Sequence, residues 1–168
     1  MTGSACPGCR LVREEVDGPT HAYVGASAAC WAIFATWSGG SGQAPAVPGV
    51  RQLVLDAYMV QHPGVPEPRA IRSVAIHLMS LCLRLERGVR PEDAPRMIQR
   101  FLARPPAFRW LEPPVPNGAL TIADVADTAG GTLAPTVANA YGLGVWEAWS
   151  PHHATVRGWL DASLGPAR

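Results

Sequence analysis

The sequence predicts a mostly α, single-domain helical bundle carrying a small irregular N-terminal lobe. Three observations lead there. Apolar residues recur at helical spacing in mid-chain, as in Ile71, Val74, Ala75, Leu78, Leu81, Cys82 and Leu85. No segment shows the regular apolar–polar alternation of a half-buried strand. The stretch before Gly25 differs from the rest, with turn residues around Cys6-Pro7-Gly8-Cys9 and no sustained period. With 168 residues and no internal repeat, the chain is expected to form one domain over 1–168. Its Cys-containing lobe (1–25) would pack on helices drawn from 26–168.

The elements follow in order. Ser27 suits the N-cap of a first helix over 27–37, where Trp31, Ile33, Phe34 and Trp37 give an aromatic-rich surface. Gly39, Gly40 and Gly42, with the prolines after them, make a flexible connection. Pro48 fits the first turn of a second helix that runs to His62, where Pro63-Gly64 stops it. A third helix runs over 68–87 and Gly88 closes it. Apolar residues spill round both of these helices, which marks them as central.

The second half is read the same way. Residues 91–103 form a short amphipathic helix with Met97, Ile98, Phe101 and Leu102 inward. Pro105, Pro106, Pro113, Pro114 and Pro116 impose an extended crossing segment that carries Trp110. Thr121 caps a short turn at 122–125. Residues 133–149 are helical although Gly142 and Gly144 weaken them, and Ser150-Pro151 starts a last helix bearing Val156, Trp159 and Leu160.

Composition removes several function classes. All 14 basic residues are Arg and none is Lys, so this chain supplies neither a Schiff-base lysine nor the phosphate-binding lysine of a P-loop. No GxGxxG or GxSxG pattern occurs. Net charge is +1 without a basic run, which excludes the electrostatic footprint of a nucleic-acid binder. The apolar stretches are far shorter than a membrane span, and no charged-then-apolar leader opens the chain. The expectation is a soluble cytoplasmic protein whose cysteines are reduced or metal-bound rather than paired in disulfides.

The two thiols of Cys6-Pro7-Gly8-Cys9 are half of a thiolate metal site, because the turn lets both sulfurs converge on one ion. A connection of about ten residues favours an antiparallel pairing of the first two helices. Cys30, near the start of the first, then approaches His62 at the end of the second, and Cys6 and Cys9 fold over that same end. Cys6, Cys9, Cys30 and His62 make a Cys3His tetrahedron with the softness zinc prefers. His21, in the intervening loop, competes for the fourth position.

Asp56 and His77 form a second constellation. Each lies a similar distance from the turn at Pro63–Pro68, so an antiparallel pair places them opposite one another. Such a pair either orients a general base or fixes the packing of two apolar helices, since a buried carboxylate requires a partner. Tyr58, on the same helix as Asp56, is a further proton-handling candidate. The junction of these helices with Trp146–Trp149 combines titratable groups and apolar walls, which is where a pocket is expected. His152 and His153 are read as exposed first-turn residues whose rings diverge by about 100°. Cys82 is read as a small core residue.

Several segments, CPGC, DGPTHAYVGASAACW, LDAYMVQHPG, SVAIHLMSLCLRLERG and WLEPP followed by LTIADV, resemble a group of uncharacterised small bacterial proteins common in actinobacteria. That group carries a domain-of-unknown-function label, and the resemblance extends over nearly the whole chain. It implies that Cys6, Cys9, Cys30, Asp56, Tyr58, Gln61, His62 and His77 occupy family motif positions, and it implies no activity. The chain departs from the group's pattern at Arg10, where CPxCG is common, at Arg51, where His is common, and at Ser38-Gly39-Gly40, where an acidic residue is common. An Arg51 guanidinium cannot stand in for a His ligand.

The leading functional expectation is a metal-dependent enzyme acting on a small molecule. Zinc would polarise a carbonyl or activate water, while Asp56, His77 and Tyr58 handle protons. The alternative is a non-enzymatic binding or interaction protein in which a closed Cys3His site staples the N-terminal lobe to the helices. A small-molecule ligand is expected, nucleic acid and membrane are not, and the Trp-rich surface permits a homodimer.

Overall fold

The computed structural model describes residues 3–39, 47, 49–132 and 134–164. Among these the order is β1 (Gly3–Ala5), β2 (Val12–Glu14), α1 (Ala28–Gly39), α2 (Val50–Gln61), α3 (Pro68–Leu85), α4 (Ala94–Ala103), α5 (Ile122–Asp127), α6 (Ala134–Ala148) and α7 (His153–Leu164), with a 3-10 turn at Ser150–His152 before α7. The chain is mostly helical with a cysteine-bearing N-terminal region, as its periodicity predicts. The connection at 40–42, the helix start at Pro48 and the start at Leu133 lie outside the described residues. No helix among the described residues is long and apolar enough to cross a membrane.

The N-terminal lobe holds one element the sequence did not reveal. It carries a short hairpin within its otherwise irregular chain, because β1 and β2 pair antiparallel in the register Gly3↔Glu14, Ser4↔Arg13 and Ala5↔Val12. Strands of three residues are too short for alternation to show in sequence. Between them the Cys6 N–H donates to Leu11 O at 2.9 Å and the Arg10 N–H to Cys6 O at 2.9 Å. Arg10 takes φ 66°, the left-handed region that a glycine enters at no steric cost.

Local signals set most helix ends. Ser27 Oγ accepts the Cys30 N–H at 3.3 Å, so Ser27 caps α1 as expected. His62 leaves helical geometry and ends α2, its N–H still donating to Tyr58 O at 3.1 Å. Gly64 turns the chain with φ 72°, and Gly88, with φ 61°, follows the end of α3. Asp124 accepts from the Thr121 N–H at 2.7 Å, fixing the start of α5.

Packing is centred on α2, which lies against both α3 and α6. Gly142 makes the second contact feasible, since a Cβ there would meet Leu53 Cδ1 at 2.6 Å. The glycine that weakens α6 as an isolated helix is the position where α6 meets α2. α1 stands further from α2 than expected, and its nearest backbone neighbour is α5. Aromatic rings fill the interval, with Phe34 stacked on Tyr58 at 4.0 Å. One apolar cluster runs from Cys6 to Leu160 and includes Trp37, Trp146 and Trp149.

Candidate metal centre

Three separate pieces of chain meet at the C-terminal end of α2. The hairpin tip supplies Cys6 and Cys9, the first turn of α1 supplies Cys30, and His62 closes α2. Their ligand atoms lie within 4.8 Å of one another, and all four residues are buried. His21 is not among them. Its ring packs edge-on against Tyr23 at 4.3 Å, and its Nδ1 has no partner among the described residues.

The spacing matches an ion-centred tetrahedron better than a disulfide. Cys9 Sγ lies 3.8 Å from Cys30 Sγ, whereas an S–S bond is about 2.05 Å. Cys30 Sγ lies 3.4 Å from His62 Nε2. Zinc with bonds of about 2.3 Å to sulfur and about 2.05 Å to nitrogen has edges near ~3.8 Å (S–S) and ~3.6 Å (S–N).

The surrounding groups orient each ligand. His62 Nδ1–H donates to Tyr58 O at 2.7 Å, which holds the ring so that Nε2 faces the sulfurs. The Ser27 N–H donates to Cys6 Sγ at 3.4 Å, so the α1 N-terminus presents its partial positive charge to a thiolate. The Tyr58 hydroxyl lies 3.7 Å from Cys30 Sγ, and the Tyr58 ring lies 4.1 Å from that of His62.

Glycines bring the backbones close enough. A Cβ on Gly8 would stand 2.5 Å from His62 Cδ2 and 2.6 Å from Gln61 O, and one on Gly64 would stand 2.7 Å from Tyr23 O. The Gln61-His62-Pro63-Gly64 segment therefore has a role at nearly every position. Gln61 Nε2 donates to Asn117 O at 2.8 Å and to Leu120 O at 2.9 Å, and its Oε1 accepts from Tyr141 at 2.9 Å.

The electrostatics favour one thiolate and resist three. Hydrogen bonds from Cys30 and Cys9 hold the Cys6 thiol far below its usual range. Cys30 is driven far up by its contacts with Cys6 and Cys9 and by burial. Burial opposes charge on His62, but hydrogen bonds to Cys6 and Cys9 outweigh it and raise the imidazole to about 9. Burial also pushes the Tyr58 phenol well up, followed by the nearby Cys30. A divalent cation would supply the positive charge that lets all three sulfurs ionise together. The group could hold a metal ion.

Asp56 and His77 meet as the helix pairing requires, but Tyr58 does not join them. His77 Nδ1–H donates to Asp56 Oδ1 at 2.7 Å across α2 and α3. Residues two apart on a helix point about 200° apart, so Tyr58 faces the sulfurs and Asp56 faces α3. Two further partners of Asp56 escaped the sequence reading. Gln52 Nε2 donates to Oδ1 at 2.9 Å and Ser80 Oγ to Oδ2 at 2.6 Å. Their signal was available, since Gln52 lies one turn before Asp56 and Ser80 nearly one turn after His77.

Two other expectations are corrected. The junction with Trp146–Trp149 holds packed side chains, with Trp146 stacked on His153 at 3.8 Å and Trp149 Nε1 donating to Asn117 Oδ1 at 3.0 Å. That His153 is buried rather than exposed, and its Nε2 lies 2.9 Å from Trp146 O. A ring that can stack on Trp146, seven residues earlier on the preceding helix, buries more apolar area inside than out. Arg51 is exposed on a groove with Gln52 and Pro91, away from the sulfurs. Cys82 is a core residue as expected, and burial pushes its thiol up to about 12.

A family model described as a family of unknown function, DUF5946, matches residues 4–150. The chain belongs to this family. The DUF5946 match takes in the four clustered ligands as well as Asp56 and His77, and it ends before α7. Comparison with curated proteins and with solved structures finds no match.

Proposed function

We propose that Cys6, Cys9, Cys30 and His62 bind one zinc ion as a closed structural site, making this a zinc-stapled helical binding protein. The observation that carries the reading is a buried cluster of four protein ligand atoms within 4.8 Å of one another. Cys6, Cys30 and His62 are fully buried, Cys9 is 8% exposed, and the Gly8 backbone and the Tyr58 ring seal the edges. A catalytic zinc keeps a coordination position for water or substrate, and a structural zinc does not. Softness favours zinc over hard cations, which take oxygen ligands.

The ion would join parts that are weak alone. A hairpin with three-residue strands is marginal in water. Through Cys6 and Cys9 it would be fastened to the α1 N-terminus and the α2 C-terminus. Elemental analysis of gently purified protein tests the reading, with about one zinc per chain expected. Metal-free protein of undiminished stability would overturn it.

A further inference from the structure

We propose that the exposed face of α3 beside Tyr23 is a binding site for a small organic phosphate. Arg69, Arg72, Ser73, Ile76 and His77 line a groove of about 470 Å³ together with Tyr23. Their spacing along α3 puts them on one helical face. The site is separate from the sulfur cluster and does not depend on the metal reading.

The donor set argues for an oxyanion. Arg69 and Arg72 are exposed, and neither makes an ion pair with a carboxylate among the described residues. No acidic residue lines the groove. The carboxylate behind it, Asp56, is buried and already accepts from Gln52, His77 and Ser80, so it does not compete for the arginines. Guanidinium groups match the planar edges of phosphate better than any other side chain.

His77 adds a second kind of recognition. Its Nδ1–H is committed to Asp56, which leaves Nε2 on the solvent side, unpartnered among the described residues. A phosphomonoester, mostly the dianion at neutral pH, brings up to two negative charges and three oxygens to Arg69 and Arg72, and it can meet Nε2 with a P–O⁻ that accepts or, in its monoanion, with a P–OH that donates. A simple carboxylate has no such donor at neutral pH. The Tyr23 ring and Ile76 give the remaining wall an apolar character suited to an organic body.

Titration calorimetry with phenyl phosphate, benzoate and inorganic phosphate tests the proposal on the intact, metal-replete protein, and NMR follows the His77 ring resonances. Saturable phenyl phosphate binding that shifts those resonances is expected, tighter than binding of benzoate. Arg72→Ala and His77→Gln should each weaken it by about tenfold. Arg72 is exposed and its replacement leaves packing intact, so a folding defect in His77→Gln would not blunt the test. Benzoate binding as tight as phenyl phosphate, wild-type affinity in Arg72→Ala, or no saturable binding of phenyl phosphate would each overturn the assignment.

Discussion

Gly8→Ala puts a methyl group into the contact between the hairpin tip and the end of α2. The new Cβ would stand 2.5 Å from His62 Cδ2, 2.6 Å from Gln61 O and 3.0 Å from His62 Cα. Ordinary carbon contacts settle near 3.5–4.0 Å, so the tip and His62 must part by roughly 1 Å. Metal–ligand distances tolerate only about 0.2 Å. The ring and the thiols therefore cannot all keep their places. Overpacking of this kind costs about 1–3 kcal/mol. It corresponds to roughly five- to 150-fold weaker zinc binding, and to a Tm lower by about 2–4 °C per kcal/mol for a chain of this size. Competition with a chromophoric chelator reads the affinity, and thermal melts in zinc and in excess chelator read the stability. The loss should be present in zinc and absent in chelator, because an unliganded tip is free to move away. Unchanged zinc affinity, or an equal loss in both conditions, would refute the argument.

Three more variants probe separate contacts. Cys30→Ser should release zinc and lower the Tm as far as chelation lowers the wild type, with chelator then adding nothing; a further drop in chelator would contradict this. Asp56→Asn replaces one carboxylate oxygen by an NH2 that faces either the His77 N–H or the Ser80 hydroxyl, and should cost about 1–3 kcal/mol in urea unfolding whether or not zinc is present. Gly142→Ala gains up to ~1 kcal/mol of helix propensity, yet its Cβ would meet Leu53 Cδ1 at 2.6 Å. It should be destabilising in the wild type and stabilising in a Leu53→Ala background, a sign change that a double-mutant cycle measures directly.

How far the sequence could be read follows from the range of the interactions involved. Helix positions are set by local signals such as Ser27, the Pro63-Gly64 stop and Gly88, and these are visible without coordinates. The convergence of Cys30 and His62 was also reachable, because it needs only two helix ends and a short connection. The hairpin was not, since three-residue strands carry no period. Nor was the distance between α1 and α2, which depends on Phe34 and Tyr58 stacking between them. Gly142 shows the limit of propensity: a residue poor for an isolated helix is required where two helices touch. His153 misled because its apolar partner, Trp146, lies on the preceding helix across a 3-10 turn, where helical spacing no longer applies. Tyr58 shares a helix with Asp56 but not a face, so the three proton-handling candidates divide between two places.

X-ray absorption at the zinc edge of the purified protein tests the central claim most directly. A closed Cys3His site predicts a four-coordinate first shell with sulfur at about 2.3 Å and one imidazole nitrogen at about 2.05 Å, in a three-to-one ratio. A first shell containing a light-atom water ligand, a two-sulfur shell, or no bound zinc would contradict it.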